Sequence, residues 1–209
     1  MRQIQLTLEQ KDKTVITLML LVIMVVGFFW YLNNRTPDVV NYPPANTSII
    51  AFGDSLVAGV GSTDSDGFIT RLEMLINRDI QVFGFSGFTS AEGLEVIDEV
   101  TERSAGIVIV SLGGNDRIQR IERDRVYRNM SKVISKLQNA GSAVVLIETP
   151  GYGNLYKDLA RDHKAMVVTQ ALAPLMRDPR LMSDLIHPND AGYIKMAERI
   201  APTVQKILQ

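Results

Sequence analysis

A serine shortly after an apolar segment is the first residue in this chain with the position of a nucleophile. Ser55 lies in Gly53-Asp54-Ser55-Leu56 and comes after residues 48–52, which read as a buried strand. No proline follows closely, so the pattern places Ser55 where a strand ends and a helix begins. Unpaired N–H groups at a helix N-terminus favour an anion that develops beside them. An ordinary strand-to-helix turn with a capping residue has the same pattern, so this motif alone leaves both interpretations open.

A histidine base for such a serine is restricted to two positions, His163 and His187, because the chain has no others. His163 lies in a charged helix end and is typical of a solvated residue in a last helical turn. His187 follows Asp184 by three residues, so both side chains can face the same way on one helical turn. The carboxylate would fix the imidazole tautomer and leave the other nitrogen free to take a proton from Ser55. An Asp-x-x-His pair by itself is also common in surface turns.

Composition excludes several other chemistries. The chain has 209 residues, enough for one domain with a full core, and its mixed charges sum to −1. Such a balance does not indicate nucleic acid as a partner. Cysteine is absent, so there is no disulfide, no thiolate zinc site and no cysteine nucleophile. Two histidines disfavour a multi-histidine metal site. We therefore expect no metal and no cofactor.

An uncharged segment near the N-terminus predicts a membrane anchor. Residues 14–32 carry no charge and are long enough for a spanning helix, and Trp30 and Tyr31 stand where an aromatic belt would lie. A cleaved signal peptide and a buried core helix are the alternatives. A signal peptide would have a shorter apolar region and a small-x-small cleavage site. The segment ends instead in bulky residues. We therefore predict an uncleaved transmembrane anchor over residues 14–32.

Basic residues predict the orientation of this anchor. Three of them lie in residues 1–13, whereas only Arg35 lies close on the other side. The positive-inside rule then leaves residues 1–13 in the cytoplasm and places the domain, residues 47–209, in the periplasm or outside the cell. Residues 33–46 contain three prolines and read as an extended linker.

Strands alternate with helices through the rest of the chain. Nearly continuous apolar strands predict a parallel sheet that is covered on both faces. The predicted strands are residues 48–52, 79–83, 106–111, 143–147 and 165–168. Ser90 is a candidate cap for a helix over residues 91–103, and a last helix is predicted over residues 190–208. Sites in such sheets lie beyond the carboxyl ends of the strands, where Ser55, Gly87 and Asn115 all fall.

Four blocks in this order resemble the SGNH, or GDSL-type, hydrolase family. They are Gly53-Asp54-Ser55-Leu56, Gly87 within residues 85–90, Asn115 within Gly113-Gly114-Asn115-Asp116, and Asp184-x-x-His187-Pro188-Asn189. The resemblance covers about residues 49–208. It implies a three-layer α/β/α fold with a five-stranded parallel sheet in the flavodoxin-like strand order.

The resemblance also implies a role for each residue of the blocks. Ser55 would attack an acyl carbonyl, His187 would act as base and then acid, and Asp184 would orient His187. The oxyanion hole would consist of the backbone N–H groups of Ser55 and Gly87 and the side-chain amide of Asn115. Glycine permits a close approach of the backbone, and asparagine supplies a donor without a charge to neutralise.

Aromatic residues near the second block are candidates for substrate binding. Phe88 stands where related acyl thioesterases and lysophospholipases often have aspartate. With Phe85 and Tyr152 on neighbouring loops, Phe88 could line an apolar acyl groove, or the three could simply pack loops onto the domain. The charged stretch Arg117–Arg128 is either a flap over the site or a solvated helix face.

The predicted function is a membrane-anchored serine esterase that hydrolyses carboxylic ester bonds, with a lysophospholipid or another acyl ester as the substrate. An O-acetyl esterase that acts on a cell-surface glycan is an alternative. A non-catalytic anchored binding module with the same fold is a second alternative, because a fold alone does not imply activity. The sequence does not indicate an oligomeric state.

Overall fold

The computed structural model describes residues 13, 15–28 and 38–209, and it separates into two units at residues 37 and 38. In the first unit, residues 15–28 are helical (α1). No helix among the described residues is long and apolar enough to cross a membrane. The predicted anchor over residues 14–32 is therefore not supported as a spanning helix. Residues 1–12, 14 and 29–37 lie outside the described part, and with them much of the predicted cytoplasmic segment and linker.

Five strands form one parallel sheet in the second unit, from Asp38 to Gln209. They are β1 (Ile49–Gly53), β2 (Ile80–Gly84), β3 (Ile107–Ser111), β4 (Ala143–Ile147) and β5 (Met166–Val168). Their order across the sheet is β2-β1-β3-β4-β5, and each neighbouring pair is parallel. This is the flavodoxin-like order, so the predicted five-stranded parallel sheet is confirmed.

Helices cover both faces of this sheet. They are α2 (Ile69–Ile76), α3 (Ser90–Thr101), α4 (Gly114–Ile118), α5 (Arg123–Asn139), α6 (Leu155–Asp162) and α7 (Asp190–Leu208), with two short 3₁₀ turns at Leu175–Arg177 and Pro179–Leu181. The apolar faces of α2 and α7 bury one side of the sheet, and α3, α5 and α6 bury the other. The predicted three-layer α/β/α architecture is therefore confirmed.

The central strands are apolar at every position because each face of the sheet has its own core. Ile49 and Ala51 point into the core beneath α2 and α7, whereas Ile50 and Phe52 point into the core beneath α3 and α5. Successive side chains of a strand point to opposite faces, so a strand covered on both sides carries an uninterrupted apolar run. This alternation explains why β1, β3 and β4 were recognisable in the sequence.

Two local predictions need correction. The chain after β1 forms a series of turns and not a regular helix, because Gly59 and Gly61 adopt positive φ values of 73° and 99° that end the helical turn begun at Asp54. The residue that caps α3 is Thr89 and not Ser90. Thr89 and Glu92 form a reciprocal capping box.

Candidate active site

Ser55 lies at the edge of the sheet where β1, β2 and β3 end together. Gly53, the last residue of β1, is paired with Gly84 and with Ser111. A Cβ on Gly53 would lie only 2.1 Å from the backbone oxygen of Ser111, so only glycine permits this close approach. The N–H groups of Val57 and Ala58 then bond to the carbonyl oxygen of Asp54 at 3.1 and 3.0 Å, which closes one helical turn around Ser55.

Ser55, His187 and Asp184 form a continuous hydrogen-bonded chain. The Oγ of Ser55 lies 2.9 Å from Nε2 of His187, and Nδ1 of His187 lies 2.7 Å from Oδ2 of Asp184. The Asp184–His187 segment is a side-chain-capped turn and not the predicted helical turn. Oδ1 of Asp184 accepts hydrogen bonds from the N–H groups of Ile186 and His187, both at 2.8 Å. The three predicted residues are thus brought together with the connectivity of a nucleophile, a base and an orienting acid.

The carboxyl group of Asp184 is held in its ionised form. Partial desolvation raises its pKa, but the hydrogen bonds from the His187 ring and from two backbone N–H groups outweigh this and lower the pKa to about 2. Asp184 therefore carries a negative charge at every pH near neutrality. A charged acceptor in this position can stabilise an imidazolium that forms on His187.

Neighbouring contacts fix the loop that carries His187. Asp190 accepts hydrogen bonds from the N–H and the hydroxyl of Thr63 at 2.7 and 2.6 Å, and the side chain of Asn189 caps α7 through the N–H of Gly192. Gly61 packs directly against this loop, since a Cβ there would lie 2.5 Å from the carbonyl oxygen of Pro188. The turns after β1 therefore position the histidine as well as the serine.

Asn115 lies in the first turn of α4 and Gly87 in the loop after β2, and a hydrogen bond joins these two segments. One N–H of the Asn115 amide donates to the carbonyl oxygen of Phe88 at 2.9 Å, which leaves its second N–H for a ligand. In the part of the chain that the structure describes, the N–H groups of Ser55 and Gly87 have no hydrogen-bond acceptor. Gly87 has a φ of 89°, and no atom of the described chain lies within 4 Å of where its Cβ would be, so backbone conformation and not crowding explains the glycine.

A cleft with a volume of about 110 Å³ opens beside Ser55, Asn115 and His187. Its wall is mostly apolar and comes from α4, the loop after β4, and the segment that leads to His187. The apolar wall residues are Leu56, Ile118, Pro150, Leu172, Met176 and Ile186. Among the described residues, no group of three or more histidine or acidic side chains is arranged to hold a metal ion.

The three aromatic residues predicted to bind substrate lie elsewhere. The rings of Phe85 and Phe88 stack at 4.6 Å with an interplanar angle of 13°, and both are part-buried against the core beneath α3 and α5. Tyr152 is buried, and its hydroxyl donates to the carbonyl oxygen of Ile121 at 3.1 Å. None of the three lines the cleft, and their placement matches the loop-packing alternative.

Sequence reasoning missed two buried carboxylates that support the site. Asp116 accepts hydrogen bonds from the backbone N–H and the hydroxyl of Ser90 at 2.7 and 2.6 Å, which joins the start of α3 to α4 next to Asn115. Asp54 lies in the wall of the cleft and accepts from the N–H of Leu56 at 3.1 Å. Burial raises the pKa of Asp54 to about 6. Both residues stand within the motifs already singled out, and that adjacency was the available signal.

Two other sequence features have different outcomes. His163 ends α6 and is part-buried, and burial lowers its pKa.

The charged stretch that begins at Arg117 divides into two parts. From Arg123 onward it is the outer face of α5, where Arg123 pairs with Asp158 at 2.7 Å. Arg117 itself lines the cleft.

Comparison with known proteins agrees with this geometry. Residues 51–194 match the GDSL-like lipase/acylhydrolase family. The chain is 26% identical over 182 residues to a protein named Esterase TesA from Pseudomonas aeruginosa. This alignment covers 78% of this chain and 90% of that protein. It is also 25% identical over 182 residues to an arylesterase from Vibrio mimicus. That alignment covers 78% of this chain and 91% of the arylesterase.

A solved structure shares the fold over the same region. The crystal structure of TesA superposes on this chain with a TM-score of 0.71 and 26% sequence identity. The superposition covers 78% of this chain and 100% of the TesA chain. The family match spans more than half of the chain and includes Ser55, Gly87 and Asn115 as well as the Asp184–His187 turn. The chain therefore belongs to the GDSL-like lipase/acylhydrolase family and is an enzyme, a serine hydrolase of the SGNH type that acts on ester bonds.

Proposed function

We propose that Ser55, His187 and Asp184 hydrolyse a carboxylic ester through an acyl-enzyme intermediate. The observation that carries this proposal is the continuous chain from the Ser55 hydroxyl through the His187 ring to the Asp184 carboxylate, at 2.9 and 2.7 Å, beside an apolar cleft. This is the arrangement in which an adjacent base activates a serine hydroxyl and a third group orients the base.

The reaction follows from these positions in two steps. The Ser55 oxygen bonds to the ester carbonyl carbon while its proton passes to Nε2 of His187. The tetrahedral intermediate then expels the alcohol, which takes that proton from His187, and leaves an ester of Ser55. Water activated by His187 attacks this ester, which releases the carboxylic acid and restores the serine.

We assign the developing oxyanion to the N–H groups of Ser55 and Gly87 and the second N–H of Asn115. These donors have no acceptor in the described structure, so they need not break another bond to receive the oxyanion. Preorganised donors of this kind stabilise a transition state by about 2.7–4 kcal/mol each.

The apolar wall of the cleft supports an acyl ester, such as a lysophospholipid, as the substrate. Side chains of isoleucine, leucine and methionine match the acyl portion of such an ester. The small cleft volume supports the alternative of a short acyl group, as in an O-acetylated glycan. The two proposals differ in the chain length that the enzyme should prefer.

A series of p-nitrophenyl esters from acetate to palmitate tests both proposals, beside a lysophospholipid and an acetylated glycan. We expect hydrolysis by the wild-type chain and its loss in Ser55→Ala. Ser135→Ala, on the far end of α5, serves as a matched control and should retain full activity. Long-chain preference supports the lipid ester and activity confined to acetate supports the glycan ester. Activity that persists in Ser55→Ala would overturn the assignment of the nucleophile.

We also propose that the uncharged residues 14–32 anchor the protein in a membrane, with the catalytic unit outside the cytoplasm. This proposal rests on the sequence alone. The full chain should remain with membranes after a high-salt wash, whereas a variant that lacks residues 1–37 should not. Recovery of the full chain in the soluble fraction would contradict it.

A further inference from the structure

The mouth of the catalytic cleft exposes apolar side chains that are not part of either core. Eight large hydrophobic side chains in the catalytic unit are more than a third exposed. Three of them, Ile118, Met176 and Ile186, line the cleft. A fourth, Leu185, adjoins Ile186 and is 91% exposed. Isolated exposed hydrophobic residues are ordinary, whereas a cluster around one opening marks an interaction surface.

The exposure of Leu185 follows from the turn in which it lies. Asp184 accepts hydrogen bonds from the N–H groups of Ile186 and His187, so the backbone on both sides of Leu185 is fixed. A backbone bridge between Met182 and Pro188 closes the base of the same loop. Burial of Leu185 within this unit would require the turn that orients His187 to break. The leucine is therefore held outward by the catalytic geometry itself.

Two arginines beside this mouth have no counterion among the described residues. Arg117 lines the cleft, and Arg177 belongs to the 3₁₀ turn whose Met176 forms part of the cleft wall. Neither arginine has an acidic partner within 4 Å in the described residues. The acidic residues next to them are already engaged, since Asp116 is buried and Asp178 pairs with Arg180 at 2.8 Å. A surface with exposed apolar residues and free arginines is complementary to acyl chains and anionic headgroups.

We propose that this apolar rim (Ile118, Met176, Leu185 and Ile186), together with its two unpaired arginines, docks onto a lipid surface that contains anionic headgroups. Docking places the opening of the cleft against the surface, so that an ester held there enters without full transfer into water. The substrate part of this proposal rests on the proposed function. The docking itself does not rest on the proposed function, because binding to a lipid surface requires no turnover.

The absence of native cysteine makes a site-specific test direct. The full chain with Ser55→Ala and Leu185→Cys carries one thiol, to which a polarity-sensitive fluorophore is attached. Vesicles of phosphatidylcholine, with or without phosphatidylglycerol, are then added, and some contain nitroxide-labelled acyl chains. Met74→Cys in the same background is the matched control, because Met74 is exposed on α2 and does not line the cleft.

We expect a blue shift and nitroxide quenching at position 185 on anionic vesicles, a smaller response on neutral vesicles or in high salt, and none at position 74. An absent response at position 185, or equal responses at both positions, would overturn the proposal. Because the label is read in the Ser55→Ala background, these results do not depend on hydrolysis. The requirement for Ser55 in ester cleavage tests the proposed function separately.

A kinetic measurement addresses the same surface without a label. Leu185→Ser in the otherwise wild-type chain should lower kcat/KM for an ester presented in anionic vesicles by about tenfold, because a leucine no longer leaves water on docking. The same variant should hydrolyse monomeric p-nitrophenyl acetate at the wild-type rate. An equal loss on both substrates, or no loss on vesicles, would show that Leu185 does not act through a lipid surface.

Discussion

The carboxylate of Asp184 determines which nitrogen of His187 carries the proton. Its Oδ2 lies 2.7 Å from Nδ1, so a proton on Nδ1 leaves Nε2 free to accept from Ser55. In Asp184→Asn, Oδ1 can keep its two backbone hydrogen bonds, and the new amide then donates to Nδ1. The proton moves to Nε2, which can no longer act as the base. In a Ser-His-Asp enzyme of another fold the same change lowers kcat by about 10⁴-fold, and we expect a loss of that order here.

Thermal unfolding separates this electronic effect from a structural one. The loss of the ionised carboxylate should lower the melting temperature of Asp184→Asn only modestly near pH 7, because Asp184 is more than half exposed and Asn preserves the backbone hydrogen bonds of the turn. Asp64→Asn, at an exposed position in the loop after β1, is the control and should retain full activity. Unchanged kcat in Asp184→Asn would mean that His187 does not act through this pair.

At the scale of elements, the turns after β1 set the place of the loop before α7. Gly61 has a φ of 99°, and a Cβ there would lie 2.5 Å from the carbonyl oxygen of Pro188 and 3.0 Å from Cβ of His187. Gly61→Ala must therefore displace His187 from Ser55. A shift of about 1 Å in a catalytic group can cost about 10²-fold in rate, so kcat should fall by one to two orders of magnitude.

Gly141 provides the matched control for this prediction. Its φ is 94°, but no atom of the described residues lies within 4 Å of the place of its Cβ. Gly61→Ala and Gly141→Ala thus share the cost of a positive φ, about 1 kcal/mol, and differ in the contact with the His187 loop. Both variants should lose some stability in thermal unfolding, and only Gly61→Ala should lose kcat. Equal kinetics in the two variants would contradict the positioning role of the turns.

Elements whose pattern comes from burial could be predicted, and elements set by backbone conformation could not. The continuous apolar runs of β1, β3 and β4 report a sheet buried on both faces, and α7 has an apolar stripe along its length. The helix expected after Ser55 was wrong because Gly59 and Gly61 impose turns that hydrophobic periodicity does not detect. An i, i+3 spacing brought Asp184 and His187 together as expected, but by a side-chain-capped turn.

The cleft was the part of the site that sequence reasoning placed least well. Aromatic residues near Gly87 were natural candidates for an acyl groove, yet Phe85 and Phe88 stack on each other and pack on the core. The residues that do form the wall are aliphatic and come from segments far apart in the chain, including Ile118 and Met176. Only the order of strands across the sheet brings these segments together, and local sequence patterns do not report that order.

At the scale of the whole molecule, the cost of burying Asp54 should appear in the pH dependence of folding. Burial raises the pKa of this carboxyl from 3.8 to about 6 in the folded protein. Between these values the folded state keeps a proton that the unfolded chain has lost, so stability falls as the pH rises through this window. The total loss is about 3 kcal/mol once the pH exceeds 6. Asp184 has the opposite sign, but its window lies below pH 3.8, so it does not interfere.

Asp54→Asn should therefore stabilise the fold in a pH-dependent way. Asparagine resembles the protonated carboxyl group and keeps an acceptor for the N–H of Leu56, without a buried charge. Near pH 4 the variant and the wild type should unfold at similar urea concentrations, and near pH 8 the variant should be more stable by up to about 3 kcal/mol. Circular dichroism can follow the transition at each pH, with Asp64→Asn as an exposed control that parallels the wild type. A stability difference that does not change with pH would show that Asp54 does not titrate between pH 4 and pH 8. The raised pKa of its buried carboxyl would then be wrong.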